Sequence, residues 1–420
     1  MAEIPGPRYL VLNRFDDEFG EYHRFVDPST CRLFYVTTPQ GLDVLDRATA
    51  AETVVVDDLE YGTVLPVVRS LVRRYGAFDG VVGLSEFDVL TAARIRAAFG
   101  IDGWSPEFVL RFRDKVRMKA AVAAAGLSVP RYVGLSDVLD AAGIVARVGL
   151  PAIVKPRAGA ASRGVLLVED AEGLTAALDT VDRADHECEE YVAGEVFHVD
   201  GIRRGARFHL VTASRYVNTC LDFAQGRPLG SVLLDPTALR DEVVGFAAAC
   251  LDALELEDGP FHLELMRRAD GRLVFLEVGL RPGGAEVAFV HRDLFGVDLF
   301  GEAFCATLGL PPLTPEGWIR GHRSGGWALV PEPRPFPSRV RQVRSVRAAI
   351  PEVYEEILPE IGEVFDGDGG YDHVGGRFRL RGADECSVYR AVLAILESFR
   401  IEVEPVAAKA AHARQERDDD

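Results

Sequence analysis

The first hundred residues alternate short apolar runs with segments of helical periodicity. The runs are rich in β-branched residues and read YLVLN (9–13), LFYVTT (33–38), TVVVD (53–57) and GVVGL (80–84). Between and after them lie patterns such as LPVVRSLVRRYG and DVLTAARIRAAFG, whose apolar positions fall on one face of a helix. This alternation predicts a parallel sheet with helices packed on it.

The following segments change from a helix to a series of strands. The alanine-rich helix in RFRDKVRMKAAVAAAGLSVPRYV is stopped by Gly126 and followed by Pro130. A strand-rich unit opens with PAIVKP at 151–156, and ECEEYVAGEVFHVDGIRRGARFHLVTASRYV alternates as several antiparallel strands would. Prolines crowd from about residue 311, which predicts a boundary, and ARQERDDD is expected to be a disordered tail.

Two apolar runs near residue 270 each carry one acidic residue in what otherwise looks like core. They form the stretch FHLELMRRADGRLVFLEVGLRPGG, residues 261–284. A two-residue turn at Asp270-Gly271, which this dipeptide favours, would place Glu264 directly opposite Glu277. The face that carries both acids would also carry four further residues, namely His262, Met266, Gly279 and Phe275. The leucines and valines between them would face the core.

Paired carboxylates in a half-buried site need either a shared proton or a cation. Ligation by oxygen alone suits Mg²⁺ or Mn²⁺, held by one or two carboxylates with phosphates completing the shell. An exposed hairpin face with two unrelated acids is the alternative interpretation of Glu264 and Glu277.

Length and composition bound the class of protein. A chain of 420 residues is long enough for two or three domains with a site between them, and its 48% hydrophobic and 27% charged residues are typical of a globular protein. No apolar run approaches the roughly 20 residues of a membrane span, and the start MAEIPGPRYLVLN does not read as a signal peptide. The six cysteines are scattered without a C-x-x-C pair, which argues against disulfides or zinc and favours a reducing cytoplasm.

The charge balance of the chain makes a few lysines candidate ligand-binding residues. The formal net charge of −18 disfavours nucleic acid as a partner, so an anionic ligand must meet a local cluster of positive groups. Of 47 basic residues only four are lysines, at 115, 119, 155 and 409. Lysine is a mobile point charge that suits phosphate, which makes Lys115 and Lys155 candidates for binding it. Codon usage that favours arginine would explain the rarity of lysine, though not where it is retained.

Two further segments are candidate parts of a nucleotide site. The loop KPRAGAASRG, residues 155–164, has the small residues that let backbone N–H groups approach a phosphate, although most such loops are simple turns. The segment ECEEYVAGE offers Glu189 and backbone groups before an apolar pair, and a strand edge at the surface is its commoner meaning.

Taken in order, these motifs resemble the ATP-grasp superfamily. The resemblance rests on RDKVRMK (113–119), GLSVP (126–130), PAIVKP with its loop, EEYVAGE (189–195) and the hairpin 261–284, and it covers roughly residues 80 to 310. Within the superfamily the chain looks most like the carboxylate-amine ligases, particularly the bacterial L-amino-acid (dipeptide) ligases.

The resemblance implies a multidomain α/β and α+β fold. We expect a Rossmann-like parallel α/β domain before an ATP-grasp fold of two subdomains, then a small mixed segment and a tail. The boundaries expected are 1–112 for the first domain, 113–192 for the small (lid) subdomain, 193–310 for the large subdomain, 311–405 for the mixed C-terminal segment and 406–420 for the tail.

The same resemblance implies how ATP would be bound. Lys115 and Lys155 would hold the phosphates, and the loop 157–164, with Ser162 and Gly164, would close over them as a lid. The resemblance also implies four contacts with the nucleoside. Glu189 would accept from the adenine amino group, and the backbone of Val192 would meet the ring edge. Glu195 would bind the ribose hydroxyls, and Met266 would lie against the adenine face.

Metal and substrate roles follow from the same motifs. Glu264 and Glu277 would bind Mg²⁺ (or Mn²⁺), while Arg281 and the backbone N–H of Gly284 would hold an acyl phosphate and the tetrahedral intermediate. Glu86 lies where some amino-acid ligases place an acid near the substrate amine. In HRSGGW (322–327), Arg323 is a candidate for binding a substrate carboxylate, with a turn before a strand as the alternative.

One position departs from the family pattern. The family usually has Asn two residues after the second metal-binding Glu, whereas this chain has Gly279. Either water or a neighbouring group replaces the missing oxygen ligand, or one metal site is weakened. His262 would face Gly279 in the predicted register and is a candidate replacement, with a packed histidine as the favoured alternative.

The function that these features favour is an ATP- and Mg²⁺-dependent ligase that joins a carboxylic acid to an amine. We expect small-molecule substrates, and neither nucleic acid nor a membrane as a partner. Dimers are common in families of this kind, so a homodimer is one of the oligomeric states considered. The alternatives are a carboxylase that uses carboxyphosphate, a non-catalytic nucleotide-binding or interaction protein, and a binding module for a small acid. Gly279 is the only hint of a non-catalytic protein, and the retained Lys, Glu and Arg set argues against it.

Overall fold

A computed structural model describes residues 6–136, 140–315, 324–367, 371 and 373–406. Its first sheet has four parallel strands in the order β3-β2-β1-β4, as the periodicity predicts. The strands and the first helices are β1 (Arg8–Asn13), β2 (Arg32–Thr37), β3 (Glu52–Val55), α1 (Tyr61–Tyr75), β4 (Gly80–Val82), α2 (Val89–Phe99) and α3 (Pro106–Leu110), with short 3-10 turns at Glu18–Gly20 and Tyr22–Arg24.

Both faces of this parallel sheet are buried. Alternate residues of β1 point in opposite directions, so that Leu10 and Leu12 pack with α1 and α2, while Tyr9 and Val11 join a core shared with later helices. The turn between β4 and α2, which contains Glu86, lies at the carboxyl end of the sheet, where parallel α/β sheets bind their ligands.

A second, smaller sheet follows the alanine-rich helix. Its order is β5-β8-β6-β7 and all its pairings are antiparallel. The elements are α4 (Lys115–Ala124), β5 (Tyr132–Gly134), α5 (Ala141–Val148), β6 (Ala152–Pro156), β7 (Leu166–Val168), α6 (Ala171–Thr180), a 3-10 turn (Arg183–Asp185) and β8 (His186–Glu190). Helices α5 and α6 cover one face with their own small core, so the other face is free to line a site.

The largest sheet is an antiparallel one in the order β13-β12-β9-β10-β11-β14-β18-β16. Its first part comprises β9 (Gly194–Arg204), β10 (Arg207–Val217), α7 (Cys220–Ala224), β11 (Leu229–Leu233), α8 (Ala238–Ala253), β12 (Gly259–Arg268), β13 (Leu273–Gly279), α9 (Val287–Phe295), α10 (Leu299–Thr307) and β14 (Ser324–Pro331). Apolar side chains of β9, β12 and β13 pack on α4 and α8, which turns the opposite face of these strands towards the small sheet.

The remaining elements complete the large sheet and add a third one. They are β15 (Ser338–Val343), β16 (Val353–Ile357), β17 (Val364–Phe365), β18 (Val374–Gly382), α11 (Glu385–Ser398) and β19 (Ile401–Pro405). Strands β16 and β18 extend the large sheet, α11 packs on it, and β17, β15 and β19 form the third sheet. The predicted domain boundaries stay predictions; three strands after residue 311 belong to the large sheet. None of the helices among the described residues is long and apolar enough to cross a membrane.

Candidate active site

The two acidic residues of the hairpin face each other, as predicted. Glu264 on β12 pairs directly with Glu277 on β13, and His262 pairs with Gly279. The predicted two-residue turn is wrong, however. Arg268 and Arg272 are joined by a hydrogen bond across a three-residue loop, residues 269–271, in which Gly271 has a φ of +87°.

A β-bulge on β13 restores the pairing that the longer loop would otherwise shift. The register changes by one residue between Glu264 and Leu265, so that Leu265 pairs with Phe275 rather than with Leu276. The predicted faces are therefore wrong for three residues, one of which is Val274, because it pairs with Met266 and shares its face. Phe275 is fully buried in the core beneath α8, and Leu276 joins Glu277 in lining a cavity.

This cavity lies between the small sheet and the large one, where β8 runs into β9. It brings together eight of the residues that the sequence nominated, namely Lys115, Lys155, Ser162, Glu189, Val192, Glu264, Met266 and Glu277. Strand β6 supplies Lys155 at its end, α4 supplies Lys115 in its first turn, and the hairpin supplies the two acids and Met266. Each of these side chains comes from an element that buries its other face, which fixes its position.

Helix α4 begins at the site because of its cap. The Asp114 side chain accepts hydrogen bonds from the backbone N–H groups of Val116 and Arg117. The same carboxylate pairs with Arg157 at 2.7 Å, which ties the loop after β6 to the start of the helix. Lys115 donates to the carbonyl of Gly159 in that loop at 2.8 Å. The loop that was predicted to close over phosphates is thus anchored at its first residues.

The loop itself has an unusual backbone. Ala161 and Ser162 both adopt left-handed φ angles, 55° and 53°, which residues with a Cβ rarely do, and Gly164 follows at 70°. Such conformations persist where the surroundings impose them and are often found at ligand sites. The role of Ser162 and Gly164 in binding phosphate stays a prediction.

Four buried charges sit together on the small-sheet side of the cavity. Lys119 contacts Glu187 at 2.6 Å and also Glu189, and Lys155 contacts Glu189 at 2.5 Å. Burial alone would raise the pKa of Glu189, but Lys119 and Lys155 outweigh it and lower that pKa. Burial opposes the charge of Lys155 as well, and the same two glutamates raise its pKa. Glu189 and Lys155 are therefore both charged, and the contacts give each carboxylate of the cluster a lysine partner.

Lys119 is a member of this cluster that sequence reasoning did not select. It follows Lys115 by one helical turn, so both lysines lie on the same face of α4. Its signal was present, because it is one of the four lysines of the chain. The carboxylate of Glu189, which was predicted to accept from the adenine amino group, is already shared between two lysines, and that role stays a prediction.

The hairpin carboxylates have fewer cationic partners. Glu277 contacts Lys115 at 3.0 Å. Burial acts to raise the pKa of Glu277, but Lys115 and Lys155 prevail and lower it to about 2. Glu264 accepts a hydrogen bond from the Tyr216 hydroxyl at 2.8 Å, and Nε2 of His262 lies 3.5 Å from the same carboxylate. Two facing carboxylates that share one close lysine form an oxygen-only donor set, which fits Mg²⁺ or Mn²⁺.

His262 is held from behind by a second buried carboxylate. Its Nδ1 is 2.8 Å from Asp200, and the other oxygen of Asp200 is 2.5 Å from Nδ1 of His198. Burial would lower the pKa of His262, but Asp200 raises it to about 9. The sequence signal was the alternation of His198 and Asp200 on β9, which puts both on the face that carries His262 and Glu264. His262 is thus hydrogen-bonded to Asp200 and also faces Gly279, and its role as a replacement ligand stays a prediction.

Arg281 lies beyond the hairpin and is held by Glu86. The Nε of Arg281 donates to Glu86 at 2.9 Å, and its Nη1 donates to the carbonyl of Pro282 at 2.8 Å. Burial works against the charge of Arg281, but Glu86 and then Glu264 and Glu277 raise its pKa. The open space next to Gly284, where an added Cβ would meet nothing within 4 Å, leaves its backbone accessible.

Two nominated residues stand apart from the rest. Glu195 is exposed and pairs with Arg215 at 3.1 Å, although its neighbours Gly194 and Val196 line the cavity. Arg323 lies outside the described residues. The ribose role of Glu195 and the substrate role of Arg323 both stay predictions.

Comparison with known proteins supports the resemblance seen in the motifs. No family model matches the chain. It is 26% identical to an L-arginine-specific L-amino acid ligase of Bacillus subtilis over 257 residues, which cover 59% of this chain and 62% of that protein. The chain thus spans less than two thirds of the length of that relative.

Solved structures agree over nearly the whole chain. A crystal structure of an L-amino acid ligase from Bacillus licheniformis superimposes with a TM-score of 0.74 at 18% identity, covering 96% of this chain and all of that one. An ADP complex of the N5-carboxyaminoimidazole ribonucleotide synthetase PurK gives a TM-score of 0.67 at 14% identity, covering 94% and 98%. These matches confirm the predicted resemblance and the predicted fold class, a parallel α/β sheet followed by the antiparallel sheets of an ATP-grasp fold.

Proposed function

From the ATP-grasp fold and from relatives that are ligases of that superfamily, we propose that this chain is an ATP- and Mg²⁺-dependent carboxylate-amine ligase. Its acid substrate is an amino acid or a similar small carboxylic acid, in line with the names of its relatives. The observation that carries the proposal is that Lys115, Lys155, Glu264 and Glu277 line one cavity, which brings cations suited to phosphate beside carboxylates suited to a metal ion.

The reaction proceeds through an acyl phosphate. A carboxylate oxygen of the acid attacks the γ-phosphorus of ATP, the bond between that phosphorus and the β,γ-bridging oxygen breaks, and ADP leaves. The amine nitrogen then attacks the acyl carbon, the carbon–oxygen bond to phosphate breaks, and the amine gives up a proton. The products are an amide, ADP and phosphate, and each step needs positioning and charge stabilisation more than a covalent nucleophile.

The residues of the chain divide this work. Lys115 and Lys155 donate to the phosphate oxygens, and Glu264 and Glu277 hold the metal, which when bound neutralises charge on the phosphates. Arg281 and the backbone N–H of Gly284 hold the acyl phosphate and the tetrahedral intermediate. Closure of the loop 157–164, with Ser162 and Gly164, keeps water from the intermediate. Met266, Val192 and Glu189 contact the adenine, and Glu195 the ribose.

A pairwise screen of acids and amines tests the proposal. ADP release with Mg²⁺ or Mn²⁺ should depend on both a carboxylic acid and an amine, because the acyl phosphate needs an acceptor. The change Glu277→Gln should abolish this release and leave the fold intact, while Glu107→Gln, whose side chain is 71% exposed in a surface ion pair, should not change it.

Two results would contradict the proposal. ADP release that requires bicarbonate and no amine would indicate a carboxylase. No ADP above background with any pair of substrates would favour a non-catalytic nucleotide-binding protein.

A further inference from the structure

The space that Gly279 leaves open is filled by a carboxylate from a distant part of the chain. A Cβ added at Gly279 would lie 2.6 Å from Oε2 of Glu86, closer than real contacts of that kind. Glu86 comes from the turn between β4 and α2, 193 residues earlier in the sequence. The glycine on the metal-facing hairpin is therefore not a mere gap, because it makes room for this side chain.

The Glu86 carboxylate bridges two arginines. Its Oε2 accepts from Nε of Arg281 at 2.9 Å, and its Oε1 contacts Nη1 of Arg113. The side chains of Glu86 and Arg113 are about nine-tenths buried, at 12% and 10% exposure. A carboxylate that is shielded from water and bonded to two guanidinium groups holds both in a defined orientation, since each planar donor accepts few geometries.

The bridge also reaches the loop that is proposed to close over phosphate. Arg113 donates through Nη2 to the carbonyl of Ala158 at 2.7 Å, two residues after the end of β6. The Glu86 carboxylate, which follows β4 of the first sheet, is thus connected to the start of α4, to the loop 155–164 and to Arg281 after the hairpin.

We propose that Glu86 is a positioning residue, and this proposal rests on the proposed function. Glu86 occupies the space next to Gly279 and orients Arg281 towards the acyl phosphate. Through Arg113 it also couples Arg281 to the loop 155–164. In this chain the pair Glu86 and Gly279 replaces a side chain on the hairpin itself. Glu86 acts through Arg281 and needs no contact with the substrate.

A mutant cycle tests this link. Gly279→Ala would push the Glu86 carboxylate off Arg281, and it should fold because the displaced atom is the end of a flexible side chain. The rate of ADP release should fall about tenfold, the ordinary size of coupling between contacting residues, with little change in the KM for ATP. Gly279→Ala should cost nothing further in a Glu86→Ala background. Gly245→Ala is the matched control, since a Cβ there meets nothing within 4 Å.

Hydrogen exchange supplies a readout that does not need turnover. Peptides that cover residues 155–165 should exchange faster in Glu86→Ala and in Glu86→Gln than in the wild type, while Gly245→Ala leaves them unchanged. If no substrate pair releases ADP but this shift is seen, the proposed function fails and the coupling survives. Additive losses in the cycle, an unchanged loop, or a Glu86→Gln defect confined to the KM of the amine would overturn the positioning role.

Discussion

Two clusters of charge face the same cavity and differ in how far they neutralise themselves. On the small-sheet side, Lys119 and Lys155 balance Glu187 and Glu189, and all four are buried. On the hairpin side, Glu264 and Glu277 contact one lysine, Lys115, along with a tyrosine and a histidine. The first cluster has one lysine for each of its two carboxylates, whereas the second has one lysine for two, and its histidine is shared with Asp200.

This difference separates a structural role from a ligand-binding one. A buried ion pair contributes little net stability compared with apolar residues of the same shape, but the removal of one partner leaves an uncompensated charge. Carboxylates near an open cavity are different, because solvent and bound cations can replace a missing partner. We therefore expect changes of Lys119 and Glu187, to which the proposed function gives no ligand, to act on folding, and changes near the second cluster to act on metal binding.

The largest effect is expected for Lys119→Met. Glu187 and Glu189 would share only Lys155 in a fully buried setting, so the free energy of unfolding should fall by about 3 kcal/mol or more. Urea denaturation measures this loss. Arg117→Met, two residues earlier on α4 and paired with the exposed Glu107, is the control and should change stability by less than about 1 kcal/mol.

A second change checks the cause. Glu187→Gln added to Lys119→Met removes one excess negative charge, so it should restore part of the lost stability. Equal losses for Lys119→Met and Arg117→Met would mean that the buried cluster is not the structural element inferred here.

A smaller effect is expected for Tyr216→Phe, which removes the hydrogen bond to Glu264. Groups that orient a metal-binding carboxylate typically change metal affinity by 10-fold to 100-fold, so Mn²⁺ should bind about tenfold more weakly. Electron paramagnetic resonance of free Mn²⁺, with ADP present, measures the affinity. Tyr354→Phe removes a like hydrogen bond, 3.0 Å to Asp293, away from the cavity and should leave Mn²⁺ binding unchanged. A tenfold fall in the equilibrium constant for folding, with no change in Mn²⁺ affinity, would show that Tyr216 contributes to folding and not to metal binding.

The two clusters also differ in how far the sequence reveals them. The hairpin acids are thirteen residues apart, so strand periodicity and a turn signal were enough to pair them. Lys115 and Lys155 were indicated by the rarity of lysine. The partners of these residues come from afar: Tyr216 is 48 residues from Glu264, and Glu86 is 195 from Arg281. No local pattern encodes such contacts, since they depend on how whole sheets pack.

The sequence predicts the pairing of Glu264 with Glu277 correctly, although it predicts the wrong length for the loop between the two strands. The loop is one residue longer than predicted, and the bulge on β13 compensates by one residue in the other direction. A propensity for Asp-Gly turns describes local chemistry only. The buried positions of Leu263, Leu265 and Phe275 in one core impose the register of the strands, because a one-residue slip would turn them towards the cavity.

The smallest effect is expected for a deletion of Ala269, which tests this account of the register. The loop would become the two-residue Asp270-Gly271 turn while Arg268 still pairs with Arg272, so Glu264 should keep its position opposite Glu277. We expect a change in the free energy of unfolding of about 1 kcal/mol or less, and Mn²⁺ affinity within about twofold of the wild type. Retained affinity would show that core packing and the bulge position the two carboxylates. A tenfold or larger loss of Mn²⁺ affinity would show that loop length does so, and the pairing of Glu264 with Glu277 would then depend on the turn.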